Sequence, residues 1–288
     1  VGGVVLGPVR ARAWPAQPVG EVSEGAVEAP ADKRRGVAMS GHSRWSQIKR
    51  KKGKNDVQRG KLFSKLIREV TVAARNGGGD PKGNMRLKAA LEAARAVNMP
   101  ADTLKRGIQK GTGELPGETY EEVAYEGYGP GGVAIMVRVL TDNKNRTAPE
   151  LRHLFEKNGG NLGAQGCVGW MFERKGIIQV SADKIGEDEL LTLALEAGAA
   201  DLRRVEKVFD IATSPDEMES VRQALEERRV PIAEAEVTMV PLSTGRCEGK
   251  DAQAVLRLIE ALEEQDDVQA VYANYDIPDE VIDAITAA

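Results

Sequence analysis

Nine cationic side chains fall within twenty residues: Lys49, Arg50, Lys51, Lys52, Lys54, Arg59, Lys61, Lys65 and Arg68. His42, Ser43, Arg44 and Trp45 lead into this run, and Phe63 sits within it. Each phosphate neutralised by such side chains releases condensed counterions, so a handful of contacts gives strong, salt-sensitive binding to a polyanion. Trp45 offers a face on which an unpaired base can stack, which suits single-stranded or looped nucleic acid. The competing reading is a solvated charge run with Trp45 packed into the body of the protein. The residue types favour nucleic acid, and His42 to Arg68 is the primary candidate site.

A second candidate is the polar loop containing Asn143, Lys144, Asn145 and Arg146, ahead of a predicted helix. A helix N-terminus offers free amides to an anion, and Lys144 and Arg146 would add charge. Ordinary capping by Thr147 explains the same residues equally well.

Other chemistries fail on context. GYGPGG, Gly127 to Gly132, matches GxGxxG, but Pro130 lies inside it and a strand pattern follows where a dinucleotide site needs a helix. GHSRW resembles a nucleophile elbow, yet Trp45 stands where the second Gly is required. His42, His153, Cys167 and Cys247 share no metal-ligand spacing. The acidic pairs Glu226-Glu227, Glu263-Glu264 and Asp266-Asp267 read as solvated helix faces or ends. The expectation is a non-enzymatic protein with no cofactor, no metal and no small-molecule substrate.

Charge is distributed far less evenly than the formal net of −4 suggests. Residues 39–115 carry a net +12, residues 116–288 a net −17 and residues 1–38 a net +1. The front should attract polyanions and the back repel them. Two cysteines are too few for a disulfide framework, and no apolar run is long enough to cross a bilayer. A cytoplasmic protein without a membrane partner is expected.

The elements that must hold these residues follow from periodicity. Residues 1–38 are rich in Gly, Pro, Ala and Val with no sustained period, and disorder is expected there. They read as an extension upstream of a start at Met39, or as a transit peptide, because Arg10 and Arg12 precede the first acid, Glu21. Leu62, Phe63, Leu66, Ile67, Val70 and Ala74 predict an amphipathic helix ended by Gly77 to Gly79. Asn84 can cap a second helix, and Pro100 opens a third that stops at Gly111 and Gly113. From Thr119 strands and helices alternate: EEVAYEGYG and VAIMVRVL as strands, a helix with Thr147 as its cap, then VGWMFERKGIIQV as strand material on either side of Lys175-Gly176. Three helix–strand pairs complete the chain, with VEKVFDIATS, AEAEVTMVPLS and DVQAVYANYD as strands. The fold class is α+β: an N-terminal helical bundle, then two small sheet-and-helix units.

GHSRW, KRKKGKND, RGKLFSKLIRE, GGGDP, the segment from Asn84 to Gly113, YEGYGPGG, DNKNRT, KNGGNLG and DDVQAVY occur in this order in the YebC/PmpR family, which the chain resembles from Met39 onward. The resemblance implies a basic helical domain over 39–118 and an α/β domain made of 119–174 plus 236–288. A second α/β domain, 175–235, would be inserted in the first, around a cavity with an acidic face. It also implies a regulator of gene expression. Members are described as DNA-binding transcriptional regulators, and related members act in translation at the ribosome, so DNA and ribosomal RNA both stand as partners. Residues 1–38 match nothing in that pattern.

Overall fold

A computed structural model describes residues 56–205, 207–278 and 281–282, with side chains from Gly60 onward. The expectations for residues 1–38, and for His42, Ser43, Arg44, Trp45, Lys49, Arg50, Lys51, Lys52, Lys54 and the Arg59 side chain, lie outside the described residues.

Three helices open the described chain: α1 (Asp56–Gly77), α2 (Met85–Ala96) and α3 (Ala101–Thr112). Val70, Leu87, Leu91, Ala94 and Leu104 close their common core. At 12 residues each, α2 and α3 are held by packing rather than by propensity. Asn84 caps α2, its side chain accepting from the Leu87 amide at 3.1 Å. Helix α3 departs from the sequence reading. Gly113 ends it with φ of 83°, whereas Gly111 lies inside it, and a Cβ on Gly111 would stand 2.4 Å from the Thr71 carbonyl oxygen. Gly111 is a contact point between α1 and α3, not a stop.

Two four-stranded antiparallel sheets follow. Strands β1 (Glu121–Tyr128), β2 (Ala134–Thr141) and β3 (Asn161–Leu162), with helix α4 (Lys144–Lys157) between the last two, begin the first sheet. The second sheet is formed by β4 (Phe172–Ser181), β5 (Asp201–Val205), β6 (Val208–Thr213) and β7 (Ile232–Pro241), with helices α5 (Glu187–Glu196) and α6 (Met218–Glu227). The chain then adds β8 (Gly245–Arg246), α7 (Gly249–Glu264), β9 (Val268–Ala273) and β10 (Tyr275–Asp276). The first sheet has the order β3-β1-β2-β9 and the second β5-β6-β4-β7, so β9 returns to a sheet begun before the second was made. β10 pairs in parallel with β8.

Each sheet buries one face under two helices. Ile135, Val137 and Val271 meet Leu151 and Phe155 of α4 and Val255, Leu258, Ile259 and Leu262 of α7. The α7 residues recur at three- and four-residue spacing, and full burial of each such side chain is worth about 1.5–3 kcal/mol. In the second unit Ile178, Val180, Phe209 and Ile211 meet Leu190, Val221 and Leu225. Met136, Phe172, Met239 and Tyr272 join the two units. This is the α+β class the sequence predicts.

Two strand readings change. Strand β4 runs unbroken through Lys175-Gly176, where a Cβ on Gly176 would lie 2.3 Å from Thr213 Oγ1 and 2.6 Å from Met218 Cβ. The glycine serves a close approach between sheet and helix. VEKVFDIATS holds strand β6, and the residues leading into it, Asp201–Val205, form a further strand, β5, that pairs with β6 as a hairpin, Val205 opposite Val208.

Candidate nucleic-acid interface

Of the primary candidate residues, Lys61, Lys65 and Arg68 have described side chains, and all three face the body of the protein. They project from α1 at four- and three-residue spacing, which places them on one face. Lys61 Nζ donates to the Glu264 carbonyl at 3.2 Å, and Lys65 Nζ to the Glu263 carbonyl. Arg68 donates to the Asp266 carbonyl and to Asp267 Oδ1 at 2.9 Å, and its guanidinium lies 5.5 Å from the Tyr120 ring centroid. The last carbonyls of a helix lack intrahelical partners and carry its negative dipole end, so the end of α7 is a natural seat for cations. These three side chains dock the bundle on α7.

Asp267 organises the same junction and also absorbs the second candidate loop. Its carboxylate is 1% exposed. Besides Arg68 it receives Arg146 at 2.9 Å and the Thr147 hydroxyl at 2.7 Å, both on Oδ2. Thr147 spends its single proton on that carboxylate and accepts from Thr141 at 2.8 Å, which in turn accepts from the Asn143 amide at 2.9 Å. Burial opposes ionisation of Asp267, yet the bonds from Thr147 and Arg146 and the charges of Arg68 and Arg146 hold its carboxyl below the usual range.

The anion that the α4 N-terminus was expected to invite is therefore already supplied by the chain. Asn143, not Thr147, is the N-cap of α4, accepting from the Arg146 amide at 3.2 Å. Lys144 pairs with Glu121, Arg146 also pairs with Asp142 at 2.8 Å, and Asn145 is exposed. The reading of Asp266-Asp267 as a solvated helix end is thus corrected for Asp267. Its partners lie 120, 121 and 199 residues away in sequence, so no local pattern could have revealed it.

Two further contacts fix the inward side of the bundle. Glu69 of α1 and Arg86 of α2 join Glu122 of β1 and Arg138 of β2 in an alternating quartet with distances from 2.7 to 3.3 Å. Lys88 of α2 reaches Glu219 of α6 at 3.0 Å. The bundle thus touches both sheet units.

The Gly-rich turn and the cysteine loop carry no reactive constellation among the described residues. Pro130 to Gly132 form one short turn between antiparallel β1 and β2, with φ of 67° at Gly131 and 75° at Gly132. Glu126, buried on β1, accepts from the amides of Gly166, Val168 and Gly169 at 2.6 to 2.8 Å. Burial works against its ionisation, but those three amides hold its carboxyl below the usual range. Glu126 pins the loop that carries Cys167 and exposed Trp170, and sequence reasoning missed it because its partners are main-chain amides. His153 is exposed on α4, and no cluster of His, Cys, Asp and Glu could hold a metal among the described residues. Nor is any described helix long and apolar enough to cross a membrane.

Comparison with known proteins is consistent along nearly the whole described chain. Residues 43–114 match the model of the TACO1/YebC protein N-terminal domain, and residues 120–275 that of the TACO1/YebC second and third domain. A relative from Pelotomaculum thermopropionicum is 58% identical over 84% of this chain and all of its own length; one from Syntrophus aciditrophicus is 56% identical over 86% of this chain and all of its own. Both are named "Probable transcriptional regulatory protein". A crystal structure of a conserved hypothetical protein from Aquifex aeolicus is 54% identical, with a TM-score of 0.71 over 79% of this chain and 94% of that one.

Proposed function

The chain belongs to the TACO1/YebC family, and from that premise we propose that it is a non-enzymatic regulator of gene expression that binds DNA through its basic N-terminal region. The observation that carries this reading is the charge asymmetry, net +12 over residues 39–115 against −17 over residues 116–288. A polyanion is drawn to the front and held off the back. The names of the relatives support a regulatory role. Within the basic region, Lys61, Lys65 and Arg68 serve to dock the bundle, so the phosphate contacts of the run from His42 fall to His42, Ser43, Arg44, Trp45, Lys49, Arg50, Lys51, Lys52, Lys54 and Arg59.

A second reading, a cytoplasmic translation factor that binds ribosomal RNA, is favoured by the same −17 body, because a long duplex wrapping the protein would meet it. A salt-graded competition between a labelled promoter duplex and purified ribosomes separates the two. Tight duplex binding that ribosomes cannot displace supports the DNA reading. Weak duplex binding with capture by ribosomes at physiological salt sinks it in favour of the second. Neutralising Lys49 to Lys52 should flatten the salt dependence in either case.

A further inference from the structure

Helix α3 is held on α1 by a stripe of small and apolar residues. Leu104, Gly107, Ile108 and Gly111 recur at three- and four-residue spacing, and Cβ atoms on the two glycines would stand 2.5 Å from Ile67 and 2.4 Å from the Thr71 carbonyl. Only glycine lets the helix axes come this close. That contact fixes which face of α3 points outward: Lys105, Arg106 and Lys110, all exposed.

The remaining cations of the bundle divide sharply. Lys61, Lys65 and Arg68 bind the end of α7, Arg75 donates to the Glu118 carbonyl, and Arg86 and Lys88 are ion-paired to carboxylates. Lys105, Arg106 and Lys110, like Arg95 in the last turn of α2, have no side-chain ion pair or hydrogen-bond partner among the described residues. Nearby acids do not cancel them. Glu114 accepts from Gln109 and Thr112 at the far end of the helix, and Asp102 lies in the first turn, where the helix dipole favours it. The glycine loop after α1 lies against the C-terminal half of α3, since a Cβ on Gly79 would meet Thr112 at 3.0 Å, and that loop presents exposed Lys82.

We propose that the outer face of α3, Lys105, Arg106 and Lys110, is a nucleic-acid-backbone binding surface. The proposal rests on the nucleic-acid reading above and places contacts on a face that reading did not include. Lys105 and Lys110 are separated by roughly 7.5 Å along the helix axis, the rise of about two base steps on one strand, so they suit phosphates two nucleotides apart. Gln109, the amide on this face, donates to Glu114 at 3.4 Å, so the surface would position a nucleic acid without reading its sequence.

The test uses the full chain with Lys105→Gln, Arg106→Gln and Lys110→Gln combined, measured by anisotropy against a short labelled DNA duplex and a labelled RNA hairpin. Affinity should fall at least about tenfold between about 50 and 200 mM salt, and the slope of log affinity against log salt should shrink by about two to three. The melting temperature should be unchanged, since all three side chains are exposed. A Lys61→Gln, Lys65→Gln variant should lose stability instead and keep the slope. If the α3 variant binds both probes as tightly as the native chain while neutralising Lys49 to Lys52 abolishes binding, the surface is wrong and the nucleic-acid reading stands. If the native chain binds neither probe nor ribosomes, that reading fails and the surface with it.

Discussion

Asp267 under the bundle and Asp210 on the second sheet are both buried carboxylates, 1% and 4% exposed, yet their surroundings push them in opposite directions. Asp267 receives two guanidinium groups and a hydroxyl, and its carboxyl is held below the usual range. Among the described residues Asp210 receives one amide, from Gln179 at 2.9 Å, and its Oδ2 has no hydrogen-bond partner. Burial pushes its carboxyl up to about 6. A buried charge is tolerated only where donors replace the water it loses. The junction that positions the bundle supplies Asp267 with such donors, and Asp210 has only the Gln179 amide among the described residues.

The largest effect should come from Asp267→Ala. It leaves Arg68 and Arg146 facing an apolar side chain and removes the acceptor of Thr147, and breaking a buried pair of this kind costs about 3 to 5 kcal/mol. Urea unfolding at neutral pH should show that loss as a lower midpoint. In the native chain the contribution of Asp267 is fully present above the ordinary carboxylate pKa of about 3.9 and is lost as pH falls through its lower native value. A variant as stable as the native chain would mean that the junction does not depend on this carboxylate.

How far an element is legible in the sequence follows from the range of the interactions that cause it. The helices, the Asn84 cap and the glycine stops at Gly77 to Gly79 and at Gly113 are legible because their causes lie within a turn or two of the chain. The β5–β6 hairpin was not, because Lys207 stands at a turn without the Gly, Pro or Asn that usually marks one. Gly176 looks like a break in the local sequence, but its role is to admit Met218, a residue of another element. For the candidate site, the positive charge of the front was plain in composition, but which cations face inward was not. That depends on α7, whose end is about two hundred residues downstream of α1: Lys61 and Glu264 are 203 apart.

Asp210→Asn should act in the opposite sense from the change at Asp267. The unfolded carboxyl ionises near 3.9 and the native one near about 6, so between these values the native state holds a proton that the unfolded chain has lost. Its contribution is therefore most favourable below about 4 and falls as pH rises to about 6, a cost on the order of 2 to 3 kcal/mol above that. The amide keeps an acceptor for Gln179 and carries no charge, at the expense of one buried amino group. At pH 8 it should raise stability by about 1 to 2 kcal/mol, and it should remove the slope between about pH 4 and 6. Unfolding midpoints across that range check both. A destabilised variant at pH 8 would show that Asp210 has a cationic partner and that the contrast with Asp267 is false.

Lys61→Ala sharpens the comparison from its weak end. Lys61 belongs to the same junction as Asp267 and contacts the same end of α7, but it is exposed, and its single bond is 3.2 Å long. Water replaces much of what the mutation removes, and a cation near a helix C-terminus is worth about 0.3 to 1 kcal/mol, less as salt rises. The loss should therefore stay below about 1 kcal/mol at low salt and shrink toward zero in high salt, whereas the loss at Asp267 should persist. Parallel urea titrations of the two variants at low and high salt measure this difference. If both losses fade together, docking rests on long-range attraction between the basic front and the acidic body. If only the Lys61 loss fades, docking rests on the desolvated contacts around Asp267, and the bundle stays in place at salt concentrations that strip a polyanion from its outer face.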